Sequence, residues 1–367
     1  MGMSIYYIDI KRKSRNTAGA KAPNDIAELC RKFGYRRIAM PAYPQEKPGL
    51  YQKLWLLTVC IFYWYKVMTV IPCDSVVLYQ HPQYGIRVAN KMIPLIKRRK
   101  NCKFICIIHD LESLRGGIQG VVKDNKRTNH IADDVLLRQM DSLICHNKYM
   151  KEYLISRGFQ ESGIVSLGIF DYLADGEMVS PDTKSSPSIA IAGNLAKGKC
   201  AYIYKIFGQS GTENKTLSVH LFGNNYSVDV LDSRFIYHGS FKPEDLPSHL
   251  KGDYGLVWDG DSAETCSGNT GEYLKYNNPH KTSLYLASGM PVIVWRQAAI
   301  ADFVLDNGVG IAVESLYEIE DAIIRVDKDE YNEMCRKTRE LGKKIRQGYF
   351  FGKAMEKAYN LYNGLIN

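Results

Sequence analysis

Residues 273–295 read YLKYNNPHKTSLYLASGMPVIVW, and this stretch decides the fold. Asn278 is a good N-cap, and Pro279 suits the first helical position, where its missing N–H costs nothing. The helix so opened is expected to run to Ser288 and stop at Gly289, with the β-branched strand Pro291–Trp295 following at once. A helix feeding directly into a short apolar strand is half of a βαβ unit, which implies a parallel sheet. The amides of His280, Lys281 and Thr282 would point out of the helix amino end, and Lys281 adds a full positive charge there. That combination reads as a site for a diphosphate.

Moving outward, the same alternation fills the chain. Strands are expected at Ser4–Ile10, Arg37–Met40, Ser75–Gln80, Lys103–His109, Ser142–Cys145 and Ile164–Leu167. Helices are expected between them at Asn24–Phe33, about 50–70, about 85–98, Ala132–Met140 and Lys148–Arg157. Residues 174–188, ADGEMVSPDTKSSPS, hold two prolines, four serines and no apolar period, which is linker chemistry. Strands then resume at Ser188–Ala192, Leu217–Phe222, Arg234–Tyr237, Gly255–Trp258 and Gly310–Val313. The expected fold class is therefore α/β, with two Rossmann-like domains, 1–175 and 188–367, facing each other across a cleft. This is the GT-B plan, in which the charged terminal helices from Lys328 to Leu361 would pack back toward the first domain.

Composition agrees with a globular chain. At 367 residues, with 45% apolar and 24% charged, it is too long for one ordinary core and excludes a disordered, collagen-like or coiled-coil protein. Nine cysteines without a Cys-x-x-Cys pair suggest neither a disulfide framework nor a structural zinc site, so a reducing, cytoplasmic setting is expected. The amino end has no signal-peptide pattern, and Tyr6 stands where myristoylation wants Ser or Thr. The formal charge of +9 is uneven: residues 1–175 carry 27 Lys+Arg against 15 Asp+Glu, and residues 176–367 carry 21 against 24. A basic first half is expected where a polyanion or an anionic membrane surface is met. Leu54–Ile71, rich in Trp and Tyr, reads as a helix that is buried or lies in a membrane interface. The cluster Lys97–Lys100, with Lys11, Arg12, Lys13 and Arg15, suits anionic lipid or a pyrophosphate.

Ligands of open parallel sheets bind beyond the strand carboxyl ends, so the loops there carry the chemistry. In AIAGNLAKGKC, Gly193 and Gly198 permit a tight turn while Asn194 and Lys197 offer donors, although neither G-x-G-x-x-G nor a Walker A loop is present. Gly223 and Gly239 end two more strands, and the rings of Tyr226, Tyr237 or Phe241 could stack on a base. Asp259-Gly260-Asp261 has the look of a metal-binding D-x-D, yet in metal-dependent transferases that motif lies in the domain that begins the chain. A metal-free role beside the donor is expected instead. Glu264 and Glu272 have the E-x7-E spacing of retaining enzymes, but Ser283-Leu284-Tyr285 occupies the place where the second glutamate belongs. On the first domain, the loop KRKSRNTAGAKAPND offers Asn16, Gly19 and Lys21 as an acceptor-facing lip and leads into a helix capped by Asn24 or Asp25. An inverting transfer needs a general base, for which Asp25, His109 and Asp110 are the candidates.

Four stretches carry a family resemblance: NTAGAKAPNDI (16–26), IIHDLESLRGG (107–117), IAGNLAKG (191–198) and the long run YGLVWDGDSAETCSGNTGEYLKYNNPHKTSLYLASGMPVIVW (254–295). They resemble the bacterial sugar transferases that include galactofuranosyltransferases of surface polysaccharides and glucosyltransferases of serine-rich adhesins. The resemblance implies a metal-independent GT-B enzyme using a UDP-sugar, without a cofactor, the nucleotide in the second domain and the acceptor on the first. It places nucleotide or diphosphate contact at Asn194, Lys197, Lys281 and Thr282, and donor-site proximity at Asp259 and Gly260. The expected activity is transfer of a hexose, galactofuranose or glucose, to a hydroxyl of a growing cell-surface glycan, with inversion. A lipid-pyrophosphate-linked acceptor would account for the basic first half and for peripheral contact with an anionic membrane, and a homo-oligomer is compatible. Two alternatives stand beside it: a metal-dependent transferase using Asp259 and Asp261, and a nucleic-acid-binding α/β protein. The second lacks any nucleic-acid signature and has its anion-binding helix in the less basic half, so no nucleic-acid partner is expected.

Overall fold

The computed structural model describes residues 4–10, 18–41, 49–115, 130–179, 186–208, 213–227 and 232–361. The chain divides into two compact units, one of Met1–Lys13, Pro23–Leu167 and Phe351–Asn367, the other of Ser14–Ala22 and Gly168–Phe350. The passage between units falls at Gly168, ahead of the proline- and serine-rich stretch expected to mark it, and the last segment of the chain is counted with the first unit.

The first unit holds a six-stranded sheet with strands β1 (Ile5–Ile10), β2 (Arg36–Met40), β3 (Val76–His81), β4 (Lys103–Ile108), β5 (Ser142–Cys145) and β6 (Ile164–Ser166). Their order is β2-β1-β3-β4-β5-β6 and every pairing is parallel. β3 and β5 are buried along their whole length, and β4 at all but its first residue. Strands covered on both faces need continuous apolar runs, and VVLYQH, FICII and SLIC supply them. The helices are α1 (Lys21–Lys32), α2 (Leu50–Val70), α3 (Ile86–Lys100), the single turn α4 (Glu112–Arg115) and α5 (Lys148–Ser156). A 3-10 turn at Ala18–Ala20 feeds straight into α1, so Asn24 and Asp25 lie inside the helix and cap nothing. Pro23 is tolerated there because first-turn amides have no intrahelical acceptor. The helix expected at Ala132–Met140 is a π-helical turn, Ile131–Leu136, followed by a 3-10 turn. Its Asp133 reaches back to His81 of β3 and to the amide of Ser113.

The second unit repeats the plan with β7 (Ser188–Asn194), β8 (Ser218–Asn224), β9 (Phe235–Tyr237), β10 (Tyr254–Val257), β11 (Val292–Trp295) and β12 (Gly310–Val313). The order β12-β11-β10-β7-β8-β9 is again wholly parallel. β7 therefore has its successor β8 on one side and β10 on the other, and the chain's winding reverses beside it. In open parallel sheets, ligands bind beyond the strand carboxyl ends at such a switch point, here β7 and β10. Its helices are the turn α6 (Lys197–Cys200), then α7 (Gly268–Tyr273), α8 (His280–Ala287), α9 (Ala301–Asn307), α10 (Ile319–Arg325) and α11 (Lys328–Gln347), and α12 (Tyr349–Asn360) closes the described chain.

Two glycine contacts fix the geometry of this sheet. Gly193 of β7 pairs with Gly223 of β8, and a Cβ on Gly223 would fall inside the Gly193 carbonyl. Gly255 of β10 lies directly under the ring of Tyr285 from α8, again with no room for a side chain. The Tyr285 hydroxyl accepts the Ala192 amide at 2.8 Å, so one fully buried ring ties α8 to β10 and β7 together.

Candidate functional site

The amino end of α8 stands at the carboxyl edge of the second sheet. Its N-cap is Pro279 in extended conformation, one residue later than expected. Asn278 is drawn away from capping because its buried amide donates to the Gly168 carbonyl at 2.8 Å. Thr282 N–H is taken by Pro279 O at 2.9 Å, so the amides of His280 and Lys281 are the ones left without an intrahelical acceptor. Among the described residues, the buried His280 Nε2, Thr282 Oγ1 and Ser283 Oγ have no hydrogen-bond partner. Of these features, the two amides without an intrahelical acceptor are the ones that suit an anion, since the neutral His280 presents a lone pair at Nε2 and Thr282 and Ser283 are fully buried.

Lys281 does not stand free. Its ammonium donates to Trp258 O at 2.8 Å and to Asp259 Oδ1 at 2.9 Å, and its side chain is 22% exposed. Burial disfavours the charge, but Asp259 beside it more than offsets that, and the pKa is raised. His280 goes the other way: burial and then the nearby Lys21 charge push its pKa down to about 3, so the imidazole is neutral. It packs at 5.0 Å from Tyr172 and hydrogen-bonds the Asp171 backbone.

The Gly193 loop lies beside this pair. Cys200, whose thiol donates to Asn194 O at 3.0 Å, feels both Lys281 and Asp259. Asn194 Oδ1 accepts the Ala196 amide and the Asn225 side chain, both at 3.1 Å, so it shapes the loop. The Lys197 ammonium is exposed 5.4 Å from the Tyr204 ring, which stacks on Tyr226, and Tyr226 is 5.0 Å from Tyr237. Tyr237 is 45% exposed with its hydroxyl donating to Gly223 O at 2.8 Å, so these rings form a wall above β8 and β9. Gly239, at φ +83, borders open space. Phe241 belongs elsewhere: it stacks on His249 and packs against the core.

The D-x-D residues do not converge. Asp259 faces Lys281, whereas Asp261 accepts the Ser267 hydroxyl, a bond that lowers its pKa. Gly260, at φ +112, turns between them because a Cβ would strike the Ser267 backbone. Among the described residues no group of three or more His, Cys, Asp or Glu is arranged to hold a metal ion. Glu272 pairs with Lys275 at the surface, at 2.8 Å.

Of the acceptor-lip residues, Asn16 lies outside the described residues, and Gly19 is exposed in open space. Lys21 is buried, donating to Leu173 O at 2.6 Å over the Tyr172 ring, and so belongs with the His280 neighbourhood. Asp25 is buried within α1, and Asp110 pairs with Arg115 at 3.1 Å. His109 Nε2 lies 2.8 Å from Gln80 Oε1, which can only accept, so Nε2 carries a hydrogen, while Nδ1 is buried. Gln80, His81, Asp133 and His146 were not foreseen. The available signal was a histidine at or just past the carboxyl end of three neighbouring strands: His81, His109 and His146.

His146 donates Nε2–H to Ile108 O and His109 O, each at 3.1 Å, and burial pushes its pKa down to about 4. A base with a lowered folded pKa loses stabilisation as pH falls below its unfolded value near 6.5. Between pH 6.5 and 5 this imidazole should cost about 2 kcal/mol of stability. Urea unfolding of wild type and His146→Gln at both pH values checks this, because only wild type should show the extra acid sensitivity.

Two wholly parallel Rossmann-like sheets are the architecture of the GT-B class of glycosyltransferases. The solved structure of sucrose-phosphate synthase from Thermosynechococcus elongatus has the same fold, with a TM-score of 0.61 at 11% identity, covering 98% of this chain and 99% of that one. The glucosyltransferase 3-like family matches on both sides of the chain, its N-terminal domain at residues 5–169 and its C-terminal domain at 189–358, and the protein belongs to that family. The chain is 38% identical to the β-1,6-galactofuranosyltransferase WbbI of Escherichia coli (strain K12), over 96% of its own length and 97% of that protein's. It is 23% identical to glucosyltransferase 3 of Streptococcus gordonii, again over 96% and 97%.

Proposed function

We propose that the protein transfers a hexose, as galactofuranose or glucose, from a UDP-sugar to a hydroxyl of a growing cell-surface glycan, with inversion and without a metal. The observation that carries this reading is the meeting of the Gly193 loop, Asp259 and the amino end of α8 beyond the switch point of the second sheet. The diphosphate lies on the amides of His280 and Lys281, and the Lys281 ammonium takes up charge that develops on the departing UDP. The Tyr226 and Tyr237 rings, 5.0 Å apart, supply an aromatic surface for a uracil to stack on. On the first unit the candidate bases are Asp25, His109 and Asp110, of which Asp110 is paired with Arg115 and His109 is held by Gln80. The acceptor is a lipid-pyrophosphate-linked glycan, and the protein works as a peripheral protein on the inner face of the cell membrane.

A panel of UDP-sugars tests the donor. The correct one should raise the melting temperature in proportion to its affinity, and no response from any of them would refute the assignment. Activity in excess EDTA should equal activity without it, whereas loss restored by magnesium or manganese would make the Asp259–Asp261 turn a metal site.

A further inference from the structure

α2 is apolar on two faces, and its own sheet covers only one. Leu56, Cys60, Tyr63, Trp64 and Val67 are buried, with Tyr63 donating to Ile38 O at 3.3 Å and Trp64 stacked on Tyr79. Yet of the fourteen large apolar side chains that stand exposed among the described residues, eight lie on this one helix. Trp55 is 59% exposed and Phe62 71%. Beside them runs a trough of about 360 Å³ lined by Ala39, Pro41, Trp55, Thr58, Phe62 and Lys66. A patch of this kind on a soluble surface marks a partner.

Charge says which partner. α3 packs beside α2, and neither helix contains an Asp or Glu, while Lys53, Lys66, Arg87, Lys91, Arg98 and Arg99 are exposed on the pair. A second copy meeting this face about a twofold axis would set lysines against lysines. We infer that the α2–α3 face docks on an anionic phospholipid bilayer. α2 lies flat at headgroup depth, its Trp and Tyr rings at the interface, and an acyl chain enters the trough below Lys66. Although Tyr51–Val70 is long and apolar enough to cross a membrane, spanning would strip its buried face from the sheet. This inference rests on the reading of a membrane-borne acceptor, and it identifies the surface that delivers the enzyme to it.

Trp55 supplies the probe, because Trp64, Trp258 and Trp295 are all buried. Vesicles rich in phosphatidylglycerol should co-sediment the full chain about tenfold better than phosphatidylcholine vesicles, in a salt-sensitive manner. Tryptophan emission should shift to the blue, and brominated acyl chains should quench it. Phe62→Glu, at an exposed position, should leave the melting temperature and UDP affinity unchanged while reducing vesicle binding about tenfold. Lys53→Glu with Lys66→Glu should do the same. Equal binding to both vesicle types, an unmoved Trp55 signal, or a lipid-independent dimer that buries Trp55 would overturn the inference. UDP affinity measured in parallel separates that failure from failure of the donor assignment.

Discussion

Lys281→Ala should weaken UDP binding about a hundredfold by calorimetry and bring sugar transfer close to background. Truncating one partner of a desolvated, hydrogen-bonded charge pair costs about 2–5 kcal/mol, and a hundredfold in affinity is about 2.8 kcal/mol. In the proposed complex the diphosphate is the partner that Lys281 would lose, whereas in the free protein its ammonium is held between the Trp258 carbonyl and Asp259. The pairing sharpens the test, because Asp259 competes with the diphosphate for the same ammonium. Asp259→Asn should therefore keep or tighten UDP binding while Lys281→Ala loses it. If both variants bound UDP like wild type, the diphosphate would lie elsewhere.

Gly255→Ala should destabilise the second unit by about 3 kcal/mol or more and carry donor binding down with it. The added methyl would occupy space held by the Tyr285 ring. Overpacking a filled core costs about 1–3 kcal/mol, and a buried hydrogen bond left unmade adds about 1–3. The ring cannot swing aside without losing the Ala192 amide, and it sits one turn along α8 from Lys281. Core damage and site damage should thus appear together in urea unfolding and in UDP titration. Gly19→Ala, which meets open space, should change stability by less than about 0.5 kcal/mol.

The strands were legible because a parallel sheet covered on both faces demands unbroken apolar runs, and Gly310–Val313 and Ser142–Cys145 fall where their composition places them. The family was legible from the run at 254–295, and both family domains match. Caps were read less well, since a cap is decided by what else its side chain can reach. Asn278 finds a carbonyl 110 residues away, and the 3-10 turn before α1 leaves Asn24 and Asp25 nothing to cap. The Lys281–Asp259 pair was invisible for the same reason, because it joins a helix start to a strand end 22 residues apart. Periodicity could not tell which side of α2 is covered, as both sides are apolar. The His81–Asp133 contact depends on a π-helical turn that no local pattern announces.

The backbone contact between Gly193 and Gly223 sets terms for anyone who would re-engineer the donor preference. No side chain separates those two strand ends, so they form one stiff lip, and neither position offers a library any variation. Useful diversity lies at the exposed Lys197 beside that lip, whereas Tyr226 is partly buried against the core and the Tyr237 hydroxyl holds the Gly223 carbonyl, so changes at either ring reach the lip itself.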